Sequence, residues 1–356
     1  MTFLIGLLLL ADPAALAAFL DQAVQKGDIP GAVVLVQKDG KVVFSKAVGL
    51  ADRETKRPMR LDDIFMMASS SKPLAATAIL TLVDRKKLSL DDSVSKFFPA
   101  FAGKSTVRQL LSHTSGIFGN TPETAGLKLI RNFDIPLAKA IDEVIRQPLA
   151  YEPGTRYSYG GASFCVAGRI AEILTGEQFD VFIERVLFRP LGMKETVYLS
   201  NQDLSPRIPK IYKRDGAEWV PIPAVMDRPT RRGPRPSGFI LVPGGIYSTG
   251  ADLLRFAQLH LDGGGKLLSR TLVREMQQKQ TGTLKENYGL GWQLLRNGAF
   301  GHGGAYGTYL YVDPANHAAA VILTQTTGAG KFNEAARKQV QLFLSAQPES
   351  VTGRQN

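Results

Sequence analysis

The 356-residue chain is 44% hydrophobic and 21% charged, and 43 Lys and Arg against 32 Asp and Glu leave a formal charge of +11. That supplies a substantial core for one large or two closely packed domains, and the single cysteine, Cys165, excludes an intrachain disulfide or a multi-cysteine metal site. His113, His260, His302 and His317 fall at no metal-binding spacing, and the basic residues are scattered without interleaved aromatics, so neither a metal nor nucleic acid is expected.

The first eleven residues, MTFLIGLLLLA, are apolar, lack a preceding positive charge and are too short to span a bilayer. They read as a degenerate export signal or as the apolar start of the next helix. Localisation therefore leans to the periplasm or secretion, with no stable membrane span. A helix is predicted over 12–26, with Leu16, Phe19, Leu20 and Val24 on one face. GAVVLVQ (31–37) and KVVFSKAVG (41–49), separated by Asp39-Gly40, predict a hairpin, and a third short strand is expected over 63–67.

That strand delivers the chain to Ser69-Ser70-Ser71-Lys72-Pro73 and an apolar run at helical spacing. Proline is tolerated in a first helical turn, where its missing N–H would have no intrahelical partner. A helix from about residue 70 sets Ser69 at its N-terminal mouth, beside free backbone N–H groups. Lys72 then lies about one turn on, directed back towards it. This is the arrangement of a serine nucleophile with a lysine proton acceptor. Ser93-x-x-Lys96 has the same spelling in a polar segment, so the pattern alone is not specific.

Further along, TVRQLL (106–111) predicts a helix ending at Ser112-His113-Thr114-Ser115-Gly116, which reads as a structural cap. Residues 122–147 read as mostly helical, 161–175 and 177–186 as two more helices, and 203–235 as largely loop. RPTRRGPR (228–235) reads as solvated basic surface or as the edge of a cleft that attracts anionic substrates. Strand signals return at 239–242, helices are predicted over 251–261 and 269–279, and GLGWQLL follows at 289–295. The last hairpin joins GAYGTYLYV (304–312) to HAAAVILTQ (317–325) through a type I turn at Asp313-Pro314-Ala315-Asn316. A closing helix spans 333–343. The expected fold class is α/β (α+β). One antiparallel sheet is built from 12–69 and 237–345, a mostly helical region (70–236) is inserted, and a flexible tail covers 346–356.

With these elements in order, the chain resembles the serine β-lactamase and penicillin-binding superfamily. The likeness is to the branch of class C β-lactamases, D-alanyl-D-alanine carboxypeptidases and family VIII carboxylesterases. It rests on Ser69-Ser70-Ser71-Lys72 as Ser-x-x-Lys, on Pro153 to Tyr159 (PGTRYSY) as the approach to the tyrosine motif, and on His302-Gly303-Gly304 as the third motif. LLSHTSGI (110–117), GGIYSTGADLLRF (244–256) and YGLGW (288–292) support it.

The resemblance implies Ser69 as nucleophile, Lys72 as its proton acceptor, Tyr159 as proton relay and His302 as the motif-three cation. It further implies an oxyanion hole from the backbone N–H groups of Ser69 and Ala305, with Gly303 and Gly304 letting substrate approach the strand. Tyr157, Trp292 and Cys165 read as packing residues and Asp252 as an early-helix acid. The family's Tyr-x-Asn is here Tyr159-Gly160-Gly161. Gly161 offers no amide to a lactam or peptide and widens the site. The expectation is therefore a serine carboxylesterase acting through an acyl-enzyme on small or medium esters, a mechanism that needs no metal or organic cofactor. A class C-like β-lactamase, a D-peptidase and a penicillin-binding protein that acylates without turnover are the alternatives.

Overall fold

The computed structural model describes residues 13–120, 124–130, 135–198, 200, 202–223 and 240–345. The apolar start (1–11), the basic 228–235 segment and the 346–356 tail lie outside them. Helix α1 (Pro13–Gln25) precedes β1 (Gly31–Lys38) and β2 (Lys41–Asp52), which are joined by Asp39 and Gly40, both at positive φ. After β3 (Arg57–Pro58) and β4 (Phe65–Met66) comes α2 (Ser71–Asp84), followed by α3 (Val107–Leu111), α4 (Ala125–Ile130), α5 (Leu137–Val144), α6 (Ala162–Thr175) and α7 (Phe179–Ile183). Then come β5 (Ile211–Asp215), β6 (Glu218–Ile222), β7 (Tyr247–Ser248), α8 (Gly250–Leu261) and α9 (Arg270–Met276). The chain closes with β8 (Gln293–Leu294), β9 (Phe300–Gly303), β10 (Tyr309–Asp313), β11 (Ala318–Thr324) and α10 (Gly330–Ser345).

The main sheet has the order β3-β2-β1-β11-β10-β9-β8, with every neighbouring pair antiparallel. The first and last strands of the chain thus meet at its centre, Val34 opposite Ile322. Both faces are covered, so β1 from Gly31 to Val36 and β11 from Ala318 to Leu323 are continuous apolar runs rather than alternating ones. Ala32, Val34, Val36, Ala320 and Ile322 pack under α1 and α10. Val33, Leu35, Val321 and Leu323 point into the larger core that holds α2, α6 and α8. Every residue of α2 from Ser71 to Leu82 is buried, as expected of a helix with no solvent face.

Three sequence expectations are corrected. The supposed loop over 203–235 contains the β5–β6 hairpin, turned at Asp215-Gly216 with Gly216 at φ +59°. Its exposed, charged positions hid the Asp-Gly turn signal, and Tyr212 docks it by donating its N–H to Gln325 O. Residues 240–242 are not a strand, because Val242 N bonds back to Ile240 O in a tight turn. Residues 304–308 are also a turn rather than the start of a strand, and His302 lies on its own strand, β9, opposite Leu310.

Candidate active site

Strand β4 pairs with β7, and Met67 N–H donates to Ile246 O at 2.8 Å before the chain tightens into a 3-10 turn over Ala68–Ser70. Ala68 is buried at φ +44°, a conformation that strains a residue with a Cβ, and it immediately precedes Ser69. The turn is pinned to the far half of the sheet. Ser70 Oγ donates to His302 O (3.0 Å) and lies 3.2 Å from Thr308 Oγ1, which donates to Met67 O (2.9 Å). Gly304 lies so close that a Cβ there would stand 2.2 Å from Met67 O. Helix α2 starts directly after the turn, so Ser69 and Lys72 are three residues apart on continuous helical backbone.

Lys72 is 2% exposed, and its Nζ donates to Ser69 Oγ (3.1 Å) and to Tyr159 OH (2.8 Å). The same Nζ lies 4.5 Å from the centre of the Tyr159 ring. Tyr159 sits on the loop that enters α6, so serine, lysine and tyrosine arrive from two separate parts of the chain. The rival pair separates cleanly. Ser93 caps a short turn and bonds Ser95, while Lys96 pairs with Asp92 at 2.8 Å.

His302 is buried on β9, with its ring 6.2 Å from that of Tyr159. Its Nδ1 stands 2.9 Å from Gly303 O and its Nε2 2.9 Å from Tyr288 OH. A carbonyl only accepts, so this network assigns the proton to Nδ1 and makes Nε2 the acceptor of the Tyr288 hydroxyl. Burial pushes the His302 pKa down to about 3. The motif-three cation expected from the sequence is therefore a neutral imidazole, and the correction is one of desolvation: its ring is turned into the core instead of towards solvent.

Ala305 is exposed, at the tip of the turn that follows β9. Among the described residues no loop or turn carbonyl accepts from the N–H of Ser69 or Ala305. Gly303, Gly304 and Ala305 also line a cleft of about 330 Å³ bounded by Tyr309, Asn333 and Arg337. At Gly161 an added Cβ would meet Pro243 Cγ at 3.3 Å and Ile130 Cδ1 at 3.5 Å. Gly161 N–H donates to Asn120 Oδ1 (3.2 Å), which places an amide side chain beside the position where the sequence has none.

Sequence reasoning passed over Ser70, Thr308, Tyr288 and Asn120, whose roles depend on long-range contacts with no local signature. His113 was assigned to a structural cap, yet its ring lies 4.6 Å from that of Tyr159. Cys165 is buried with its thiol pushed up to about 12 by desolvation, as suits a packing residue. Trp292 is fully buried, stacked on Phe256 and edge-on to Phe300. Asp252 is also buried, accepting from Glu195 N, Thr196 Oγ1 and Arg255. Among the described residues no helix is long and apolar enough to cross a membrane.

The Beta-lactamase family model matches residues 16–344. Esterase EstB of Burkholderia gladioli is 31% identical across 90% of this chain and 93% of its own. Penicillin-binding protein 4 of Amycolatopsis lactamdurans is also 31% identical, over 85% of this chain and 83% of its own. Among solved structures, EstCE1, a hydrolase with promiscuous acyltransferase activity, superposes with a TM-score of 0.82 at 25% identity, covering 93% of this chain and 98% of that one. The chain belongs to the β-lactamase family and is a serine hydrolase of its β-lactamase and esterase superfamily.

Proposed function

We propose that the protein is a carboxylesterase for small or medium esters, with Ser69 as the acylated nucleophile. In this reading Ser69 Oγ attacks the ester carbonyl as its proton passes to the Lys72 amine. The negative charge that develops on the carbonyl oxygen is met by the N–H groups of Ser69 and Ala305, worth a few kcal/mol per donor. Lys72 and Tyr159, 2.8 Å apart, return the proton to the departing alcohol. Water then enters and attacks the acyl carbonyl as its proton passes to the same pair, which returns that proton to Ser69 Oγ as the acid leaves.

What supports esters over lactams and D-peptides is the placement of His302, buried with both ring nitrogens engaged, Nδ1 at Gly303 O and Nε2 at Tyr288 OH. His302 held in this way offers no positive charge to a substrate carboxylate, and an uncharged ester needs none. Likeness to an esterase over nine-tenths of the chain supports the same reading. One observation favours a second reading, a lactam or D-peptide hydrolase: the amide of Asn120 beside Gly161, a potential partner for a substrate amide. The test is kcat/KM on p-nitrophenyl butyrate, nitrocefin and a D-Ala-D-Ala peptide. The ester is expected to exceed both others by at least tenfold; peptide or lactam turnover above ester turnover would overturn the proposal.

A further inference from the structure

His113 is held in a way that a cap residue does not require. It is fully buried at φ +62°, a conformation uncommon for a residue with a side chain, and it sits among the rings of Tyr157, Tyr159, Phe164 and Tyr288 at 4.6–5.7 Å. Its polar atoms grip the two residues that flank Tyr159. The His113 carbonyl accepts from Ser158 N–H (2.9 Å), and its ring Nδ1 accepts from Gly160 N–H (3.4 Å). Tyr151 OH donates to the same carbonyl (3.4 Å). The residues after His113 continue the clamp, with Asn120 N–H donating to Tyr159 O (3.0 Å).

Because Nδ1 is the acceptor, the ring proton sits on Nε2. That Nε2 is buried and has no hydrogen-bond partner among the described residues. An orphaned buried donor costs stability, and an apolar ring of similar size would avoid the cost. It would also lose the Nδ1 acceptor.

We propose that His113 is a positioning residue for the reaction. By bonding the N–H groups of Ser158 and Gly160 and packing its ring against Tyr159, it holds the Tyr159 hydroxyl at the Lys72 amine. The proposal rests on the reading of Tyr159 as proton relay. It concerns the reach of the phenol rather than substrate binding, so its effect falls on acylation and deacylation alike, the two steps that pass a proton through Lys72 and Tyr159.

Two substitutions isolate the grip. His113→Gly keeps the left-handed backbone accessible and removes the ring, whereas His113→Asn tolerates that backbone and keeps an oxygen acceptor for Gly160 N–H. His113→Gly should lower the acylation rate on p-nitrophenyl butyrate on the order of 10–100-fold, the cost of a misplaced catalytic group, with KM changed less than threefold. His113→Asn should recover most of that loss. In a Tyr159→Phe background, His113→Gly should cost less than a further threefold, because the group it positions is already gone. An unchanged rate in His113→Gly, an equal loss in both backgrounds, or a folded His113→Asn no better than His113→Gly would overturn the proposal. If Tyr159→Phe alone is fully active, the relay reading fails instead, and the two failures are distinguishable. Should His113→Gly not fold, nitrogen NMR of the wild-type imidazole decides: Nε2–H with a bare Nδ1 is expected, and a proton on Nδ1 would refute the grip on Gly160.

Discussion

Replacing Tyr159 by Phe removes one oxygen and keeps a ring that packs 4.6 Å from His113. The lost oxygen is the 2.8 Å partner of Lys72 Nζ, and Lys72 is 2% exposed, so water does not readily replace it. Leaving one buried donor unpaired costs about 1–3 kcal/mol of stability. In a chain of this size that is a fall of a few degrees in Tm, with the fold intact. The chemical loss should be larger. If the phenol carries the proton between Ser69 and the leaving group, its removal takes away a contribution of roughly 10²–10⁴-fold. The assay is stopped-flow release of p-nitrophenol from p-nitrophenyl butyrate, which separates the acylation burst from the steady state. Folded Tyr159→Phe with an acylation rate within tenfold of wild type would refute the relay and leave Lys72 to act alone.

Other outcomes follow from the same geometry. Thr308→Val removes the hydroxyl that bonds Met67 O and contacts Ser70, so it should destabilise by about 1–3 kcal/mol and slow acylation; urea unfolding and the burst rate measure both. Gly161→Asn adds a side chain that Pro243 and Ile130 must yield slightly to admit. If position 161 sets selectivity, nitrocefin or peptide turnover rises relative to ester turnover, and an unchanged ratio removes Gly161 from the account. His113, His260 and His302 are all held neutral by burial, the latter two near 3. Unfolded, each binds a proton below about 6.5, so the unfolded state takes up more protons and stability present above that pH is lost as pH falls. Each histidine contributes up to about 1.4 kcal/mol per pH unit, opposed in part by Asp252 and Glu172, whose carboxyls burial raises. His260→Gln should therefore flatten the dependence of unfolding free energy on pH between 7.5 and 5, and an unaltered slope would contradict this.

Much of the fold is legible because its signals are local. Asp39-Gly40 between two β-branched runs announces the β1–β2 hairpin, and the apolar run after Pro73 announces α2. The β5–β6 hairpin was obscured because it lies outside the main sheet, so its outer positions are charged and its alternation faint. The site divides similarly. Ser69 and Lys72 are readable together because three residues of helix set their spacing. The protonation of His302 is not readable, since it depends on whether the ring faces solvent or core. Ser70, Thr308 and His113 act across 47 to 241 positions of sequence, through contacts that only the folded chain creates.

The central claim is that Ser69, rather than any other hydroxyl, is the atom acylated. The most direct measurement is intact-protein mass spectrometry after rapid acid quench with p-nitrophenyl butyrate, followed by peptide mapping. Wild type and Ser93→Ala should both gain one butyryl group, located on the peptide that contains Ser69. Ser69→Ala should gain none and hydrolyse nothing. A butyryl group on another residue, or persistent turnover by folded Ser69→Ala, would contradict the account.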